Sequence, residues 1–514
     1  MSYKTKLIEM KNAPLISWLR INICLIFIVS LFLRIFALDH IPGINGDEAF
    51  YGINVLSILK GGHCSIHAPS ENIINPFYSG LLLLLQAFLP ISFWVLRLPA
   101  LLMGLALILI TYLITRKLFD TKMALLSTIL TATLPINIAY SRFGWDTSQT
   151  TLISIVVIYL ALAEKWTLLP LAFAAAYLIH PTNLFLIPIV LAYPMFLLIT
   201  QLWRRNLTKA ILFIIAAIVL FFAVTAFLYW QMPSVLGTIL PKFWFRFRNP
   251  YKWSLFFFDY VRLFSGTTVY RYICGSGYSL KSTVFDAALA IILIIFFSYG
   301  AFKFIQKKDQ KKLSLLPGLL ITLPLFYLMT GNIAIRPSYE RYSLFLVMPT
   351  LLLLAVILRL IATNKKKERL VMASVIITGW LFLASFFANY FIFMIQTGGN
   401  SHPTFITALK EPKQLCLEII LKDSKEAGAV ILVSSWWNYC PIAYLSGAHK
   451  NLTVIMLDTA KQLELPQKNT VYVVVFAGDE IDSEIRRRFV GSITEIWEIK
   501  DFADHPLQYV YRLQ

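Results

Sequence analysis

Charge is scarce in this chain, and its scarcity excludes more than any motif does. Only 14% of the 514 residues are Asp, Glu, Lys or Arg, while 58% are hydrophobic. That balance excludes an ordinary soluble domain and predicts an integral membrane protein. Acid is scarcer than base, 27 residues against 46, for a formal charge of +19. Much of the excess lies in short turns between apolar runs, where the orientation bias of membrane proteins places it, so no nucleic-acid partner is implied. The five cysteines, Cys24, Cys64, Cys274, Cys416 and Cys440, lack any paired metal-ligand spacing, which argues against a zinc ribbon. Spacing alone does not pair Cys416 with Cys440. No fixed-period repeat, low-complexity tract or small-residue cleavage site after the first apolar run is present.

The apolar runs set the topology. A basic N-terminus (Lys4, Lys6, Lys11, Arg20) places the start of the chain in the cytoplasm, and the run from Ile21 to Leu38 crosses to the other side. The stretch Pro76–Leu89 is short for a span. If it crossed, four basic turns (Arg116/Lys117, Arg204/Arg205, Lys303–Lys312 and Lys365–Arg369) would all lie outside. It is therefore read as an interfacial helix on the outer surface. The remaining spans are expected at about 94–115, 123–141, 147–164, 167–180, 183–203, 208–230, 284–304, 313–330, 341–361 and 370–394. The fold class is thus an α-helical polytopic membrane protein of about eleven transmembrane helices plus interfacial helices, ending in an extracytoplasmic α/β domain.

The domain division follows. Residues 1–394 form the transmembrane domain, with a first external loop at 39–92 and a second at 231–282 that is rich in bases and aromatics. Residues 395–514 form the soluble domain, where strands (429–433, 453–457, 471–476, 493–499, 508–513) alternate with helices (411–422, 437–446, 481–489).

Ionisable side chains are nearly absent from mid-membrane depth. Arg34, Arg97, Arg142, Asp146, Asp286, Glu340 and Arg341 all fall at outer ends. Ion-coupled transporters keep such groups near the midplane, so the pattern points to chemistry at the outer surface. A transporter or flippase for a neutral lipid or solute, or a non-catalytic assembly factor, is the alternative. The stretch Gly46-Asp47-Glu48-Ala49 in the first external loop reads as a turn entering a helix, with both carboxylates in the first helical turn. Capping alone would explain them. Combined with Arg97, with Arg142 and Asp146 of the next external turn, and with Arg246, Arg248 and Arg271 of the basic loop, they suit a reaction with a phosphate leaving group. Arginines would hold the phosphate, and a carboxylate would take a proton from the nucleophile.

Four motifs in order, Gly46-Asp47-Glu48-Ala49, Asn75-Pro76-Phe77-Tyr78, Arg97-Leu98-Pro99-Ala100 and Arg116-Lys117-Leu118-Phe119, carry a family likeness. The turn Ser141-Arg142-Phe143…Asp146 adds to it. Together they resemble the polytopic GT-C-type, lipid-phosphate-dependent glycosyltransferases, near the bacterial relatives of protein O-mannosyltransferases and the aminoarabinose transferases of lipid A. The resemblance implies a hexosyl- or pentosyltransferase of the bacterial plasma membrane. It would use a polyprenyl-phosphate sugar donor and invert the anomeric centre on an acceptor protein, glycolipid or glycan. It implies Asp47 as base, Glu48 as its orienting partner, and Arg97 as a support for the loop or a phosphate contact. The interfacial helix begins Asn75-Pro76-Phe77 where the family commonly has His-Pro-Pro, and the Glu-Lys-Pro of the aminoarabinose enzymes is not reproduced. No metal is therefore assigned, although a divalent cation has room in the chemistry.

Overall fold

The computed structural model describes residues 3–63, 65–67, 73–205, 245–275, 280–331, 335–424, 428–457 and 470–514, with 208, 211, 215 and 242 as isolated positions. Most of the basic loop at 231–282 before Phe245, and the span expected at 208–230, lie outside the described residues.

The helices run in order: α1 (Tyr3–Ile35), α2 (Gly46–Leu59), α3 (Pro76–Phe88), α4 (Phe93–Leu118), α5 (Thr121–Thr133), α6 (Pro135–Tyr140), α7 (Thr150–Leu162), α8 (Leu169–Ile179) and α9 (Ile187–Arg205). Within the segment expected to be the basic loop lie the helices α10 (Pro250–Ser265) and α11 (Thr267–Ile273), and after them come α12 (Leu280–Ile305), α13 (Gln310–Leu313), α14 (Leu315–Thr330), α15 (Val347–Ile361), α16 (Lys365–Phe386) and α17 (Phe393–Thr397). A 3-10 stretch, Glu340–Leu346, leads into α15, and a π-helical stretch, Phe387–Ile392, joins α16 to α17. Among the described residues, seven helical stretches are long and apolar enough to cross a membrane. Asp146–Leu162 and Leu169–Ile179, where further spans are expected, are shorter apolar helices.

The span expected at 123–141 is two helices. Pro135 has no N–H to offer the Thr131 carbonyl, and its ring cannot continue the helix beneath it. Leu134 is accordingly extended, and the Asn137 amide takes the Thr131 carbonyl at 3.0 Å. The Ala132 carbonyl, freed by the same break, accepts from Ser30 Oγ at 2.8 Å and from Arg34 Nη1 at 3.0 Å. Arg34 is wholly buried there, and α1 is locked to the break.

The helix α3 has 13 residues. At about 1.5 Å per residue it reaches about 20 Å, short of the roughly 30 Å hydrocarbon layer. Asn75 caps it, accepting from the Phe77 and Tyr78 amides, and its own amide holds the Asp146 carbonyl at 3.0 Å and Gln149 at 2.9 Å. The Tyr78 hydroxyl bonds the Leu96 carbonyl at 2.9 Å. The helix expected at the interface is thereby tied to the head of α4 and to the turn before α7.

After α18 (Pro412–Ser424) the chain builds a five-stranded sheet in the order β2-β1-β3-β5-β4. The strands are β1 (Ala429–Val433), β2 (Leu452–Met456), β3 (Thr470–Phe476), β4 (Ile493–Lys500) and β5 (Pro506–Leu513). The first three are parallel, and β5 pairs antiparallel with both β3 and β4. The helix α19 (Trp436–Ser446) follows β1, and α20 (Glu480–Arg488) follows β3. All five β1 residues are buried, as a strand covered on both faces must be. Cys416 and Cys440 are both free thiols, and Cys416 Sγ bonds Gln508 Oε1 at 3.1 Å.

Candidate active site

The site begins with a loop that has to be held from outside. Between α1 and α2 the backbone is irregular and largely buried, so its carbonyls need donors that no helix or sheet supplies. Two arginines provide them. Arg97 gives Nη1 to the Leu38 and Pro42 carbonyls, both at 2.9 Å, and Nη2 to Gly43 at 3.2 Å. Arg142 gives Nη1 to Leu33 at 2.7 Å and Nη2 to Ala37 at 3.2 Å and Ile41 at 2.6 Å. The five N–H groups of a guanidinium suit this bracing, which lysine could not reproduce.

Glu48 completes the brace. Asn45 caps α2, accepting from the Glu48 amide at 2.9 Å, and Glu48 Oε1 accepts from the Asn45 amide at 3.3 Å. This reciprocal pair satisfies two of the free donors at the helix start. The same carboxylate takes Arg97 Nε at 2.7 Å, Arg97 Nη2 at 2.9 Å and the Gly144 amide at 2.7 Å. Both members of the ion pair have no side-chain exposure.

Asp47, one residue earlier, points the other way. Its side chain is 34% exposed and lies 3.7 Å from Arg341 Nη1, at the head of the segment leading into α15. The Arg341 guanidinium sits 5.1 Å from the Trp145 ring and 5.2 Å from the Tyr342 ring, a cation held between aromatic faces. Asp146 joins the group through the Tyr51 hydroxyl and accepts from the Thr147 amide at 2.7 Å. The helix α19 supplies the remaining wall. Gly46 has no room for a side chain, since a Cβ there would meet Trp436 at 2.4 Å. Trp436 packs 5.6 Å from Phe50, and its indole N–H bonds the Asp47 carboxylate. Burial pushes the Asp47 carboxyl above its ordinary range, and the neighbouring Glu48 charge adds to this. Arg341 and the indole oppose the shift without cancelling it.

Of the residues expected at the site, Asp47 and Asp146 lie near enough to act on each other's charge, and Arg341 acts on both. Glu48, Arg97 and Arg142 are each fully buried; Arg97 takes the loop-supporting alternative of the two expected for it, Glu48 holds Arg97, and Arg142, expected at the substrate, braces the same loop. Arg246 is half-buried and donates Nη1 to the Leu328 and Met329 carbonyls at 2.8 and 2.6 Å, at the end of α14. Arg271 lies near Asp259, which is also bonded by Arg262 at 2.9 Å. Arg248 is exposed. Sequence reading missed Arg341, Tyr51, Trp145 and Trp436. The pair Glu340-Arg341 at the head of a span was the available signal for the first of these. Among the described residues no group of three His, Cys, Asp or Glu side chains could hold a metal.

Comparison with known proteins bears on this geometry. Residues 76–230 match the family model of the dolichyl-phosphate-mannose-protein mannosyltransferases. A sequence comparison with curated proteins returns no match. Among solved structures, the chain is similar to ArnT from Cupriavidus metallidurans bound to undecaprenyl phosphate. Identity is 13%, the match covers 95% of this chain and 97% of that one, and the TM-score is 0.51. It is also similar to the archaeal oligosaccharyltransferase AglB from Archaeoglobus fulgidus, solved with an inhibitory peptide and a dolichol-phosphate. There identity is 14%, coverage 85% of this chain and 64% of that one, and the TM-score 0.48. The fold is that of the GT-C glycosyltransferases, as the motif order implies.

Proposed function

We propose that this protein is a membrane glycosyltransferase that moves a sugar from a polyprenyl-phosphate donor to an acceptor hydroxyl, with inversion at the anomeric carbon. The observation that carries the reading is the division of labour between adjacent carboxylates. Glu48 is spent on the scaffold, while Asp47 is offered to an open face beside a cation. The undecaprenyl phosphate named with the similar ArnT structure supports the same donor class.

In the proposed reaction the acceptor oxygen attacks the anomeric carbon as its proton passes to Asp47. The bond from that carbon to the phosphate oxygen breaks, and its electron pair leaves with the lipid phosphate. Phosphate is a good leaving group, so one base and cationic stabilisation suffice, with no second carboxyl acid of the glycosidase kind. Arg341 is the cation placed to meet the phosphate as Asp47 takes its proton. Asp146 and Tyr51 hold the far wall, and Trp436 brings the C-terminal domain onto the acceptor side.

Because Asp47 must be ionised to act and burial raises its pKa, activity is expected to fall on the acid side above the ordinary aspartate range. Trp436→Phe keeps the ring against Phe50 but removes the N–H that stabilises the anion, so that acid limb should move further up in pH. A pH profile of kcat/KM for the two proteins checks this, and coincident limbs would remove Trp436 from the site. The activity class is tested in reconstituted vesicles carrying a polyprenyl-phosphate sugar. Release of lipid phosphate with sugar on the acceptor is expected, whereas movement of lipid or solute across the bilayer without transfer would favour a transporter.

A further inference from the structure

The helix α4 starts beside the candidate site with Arg97 and ends at Leu118, and the segment from Arg341 through α15 likewise runs away from the site to Ile361. The 26 residues of α4 extend about 39 Å. Their far ends therefore lie at the opposite membrane face, and there they enclose a groove of about 460 Å³ with the end of α12 and the turn into α13. Four cations line it, Lys303, Lys308, Lys312 and Arg359, against two carboxylates, Asp120 and Asp309. Both carboxylates are already engaged. Asp120 caps α5 through the Lys122 and Met123 amides, both at 2.9 Å, and holds Arg359 Nε at 3.2 Å. Asp309 faces Lys312 at 3.7 Å.

That leaves Lys303 and Lys308 with no carboxylate among the described residues, although Lys303 Nζ donates to the neutral Gln306 Oε1 at 3.0 Å. The turn joins their backbones, the Lys308 amide bonding the Lys303 carbonyl at 3.2 Å, and both side chains line the groove. It does so by holding Lys307 and Asp309 in the left-handed region, at φ 59° and 47°, where glycine is the usual choice. The floor beneath the charges is apolar. Lys312 lies 4.7 Å from the Phe119 ring and Lys303 lies 5.3 Å from Tyr299, with Val356 and Leu360 alongside.

We propose that this groove binds the headgroup of an anionic phospholipid from the leaflet opposite the candidate site. The ammonium groups of Lys303 and Lys308 take the phosphate, Lys303 keeping or exchanging its neutral Gln306 acceptor, and the aromatic floor takes the glycerol and first methylenes. A basic pocket between helices at the membrane surface is the setting in which such headgroups are held, and a bare surface cluster would lack the floor. The proposal does not depend on the sugar-transfer reading.

The test uses the full chain purified in a neutral detergent and titrated separately with phosphatidylglycerol and phosphatidylcholine, bound lipid being counted by native mass spectrometry. Phosphatidylglycerol is expected to bind at least about thirty-fold more tightly. The double variant Lys303→Gln/Lys308→Gln should lose most of that preference, about five-fold per lysine. The single variant Lys308→Gln should lose part of it. The control Lys365→Gln/Lys366→Gln removes two exposed lysines outside the groove and should change binding less than two-fold. Equal losses in the control would mean that general surface charge is responsible and would overturn the proposal, as would an unchanged preference in the groove variants. Displacement of bound phosphatidylglycerol by equimolar inorganic phosphate would overturn the lipid assignment.

Discussion

Replacing Glu48 with Gln, or Arg97 with Gln, is expected to destabilise the protein by about 3–5 kcal/mol, the usual cost of breaking a fully buried ion pair on one side. Each partner has no exposure, so the charge left behind has no water to turn to. Glutamine at 48 is worse than a lost charge. Glu48 accepts from four donor groups: two nitrogens of Arg97 and the Gly144 and Asn45 amides. A glutamine must point its own NH2 at some of them. The carbonyls of Leu38, Pro42 and Gly43 would also lose their anchor when Arg97 goes. Unfolding of each variant in detergent measures the effect, and the double variant should lose clearly less than the sum, since both changes break one interaction. Losses below about 1 kcal/mol in both single variants would show that the pair does not hold the loop.

For Asp47→Asn the expectation is the reverse, a folded protein that does not turn over. The side chain is a third exposed, and burial already disfavours its charge, so a neutral isostere should not weaken the fold. Turnover should fall by about 10²–10⁴-fold, the range supplied by a positioned general base. Affinity for the lipid-phosphate donor should survive, because the base acts on the acceptor proton in the transition state. Correctly folded Asp47→Asn protein with near-normal turnover would remove Asp47 from the mechanism and leave Asp146, beside the same Arg341, as the candidate. Loss of donor binding together with the fold would make Asp47 structural.

The sequence exposed some of this and hid the rest for physical reasons. The start of α3 is legible because Asn75-Pro76 is a strong local stop and start, and β1 is legible because Ala429–Val433 is an apolar run bounded by polar turns. The capping role of Glu48 was visible as a carboxylate in a first helical turn. What could not be read was which of two neighbouring carboxylates faces inward. That depends on Gly144 and Arg97, which arrive from distant segments. Arginines at the outer ends of apolar runs read as interface anchors or phosphate contacts, yet Arg34, Arg97 and Arg142 are all enclosed. Their role follows from buried loop carbonyls that no sequence pattern marks. Arg341 and Trp436 meet Asp47 only through the tertiary packing of α15 and the C-terminal domain, so no local signal joins them to it.

The most direct test of the central claim is a single-turnover transfer by the purified protein from a polyprenyl-phosphate sugar of known anomeric configuration. Product configuration would be read by NMR and released lipid phosphate counted beside it. A direct displacement with Asp47 as base predicts one lipid phosphate per sugar transferred and the opposite anomer in the product. Retention of configuration would require a second displacement through a covalent intermediate and would contradict the account, as would donor consumption with no sugar on the acceptor.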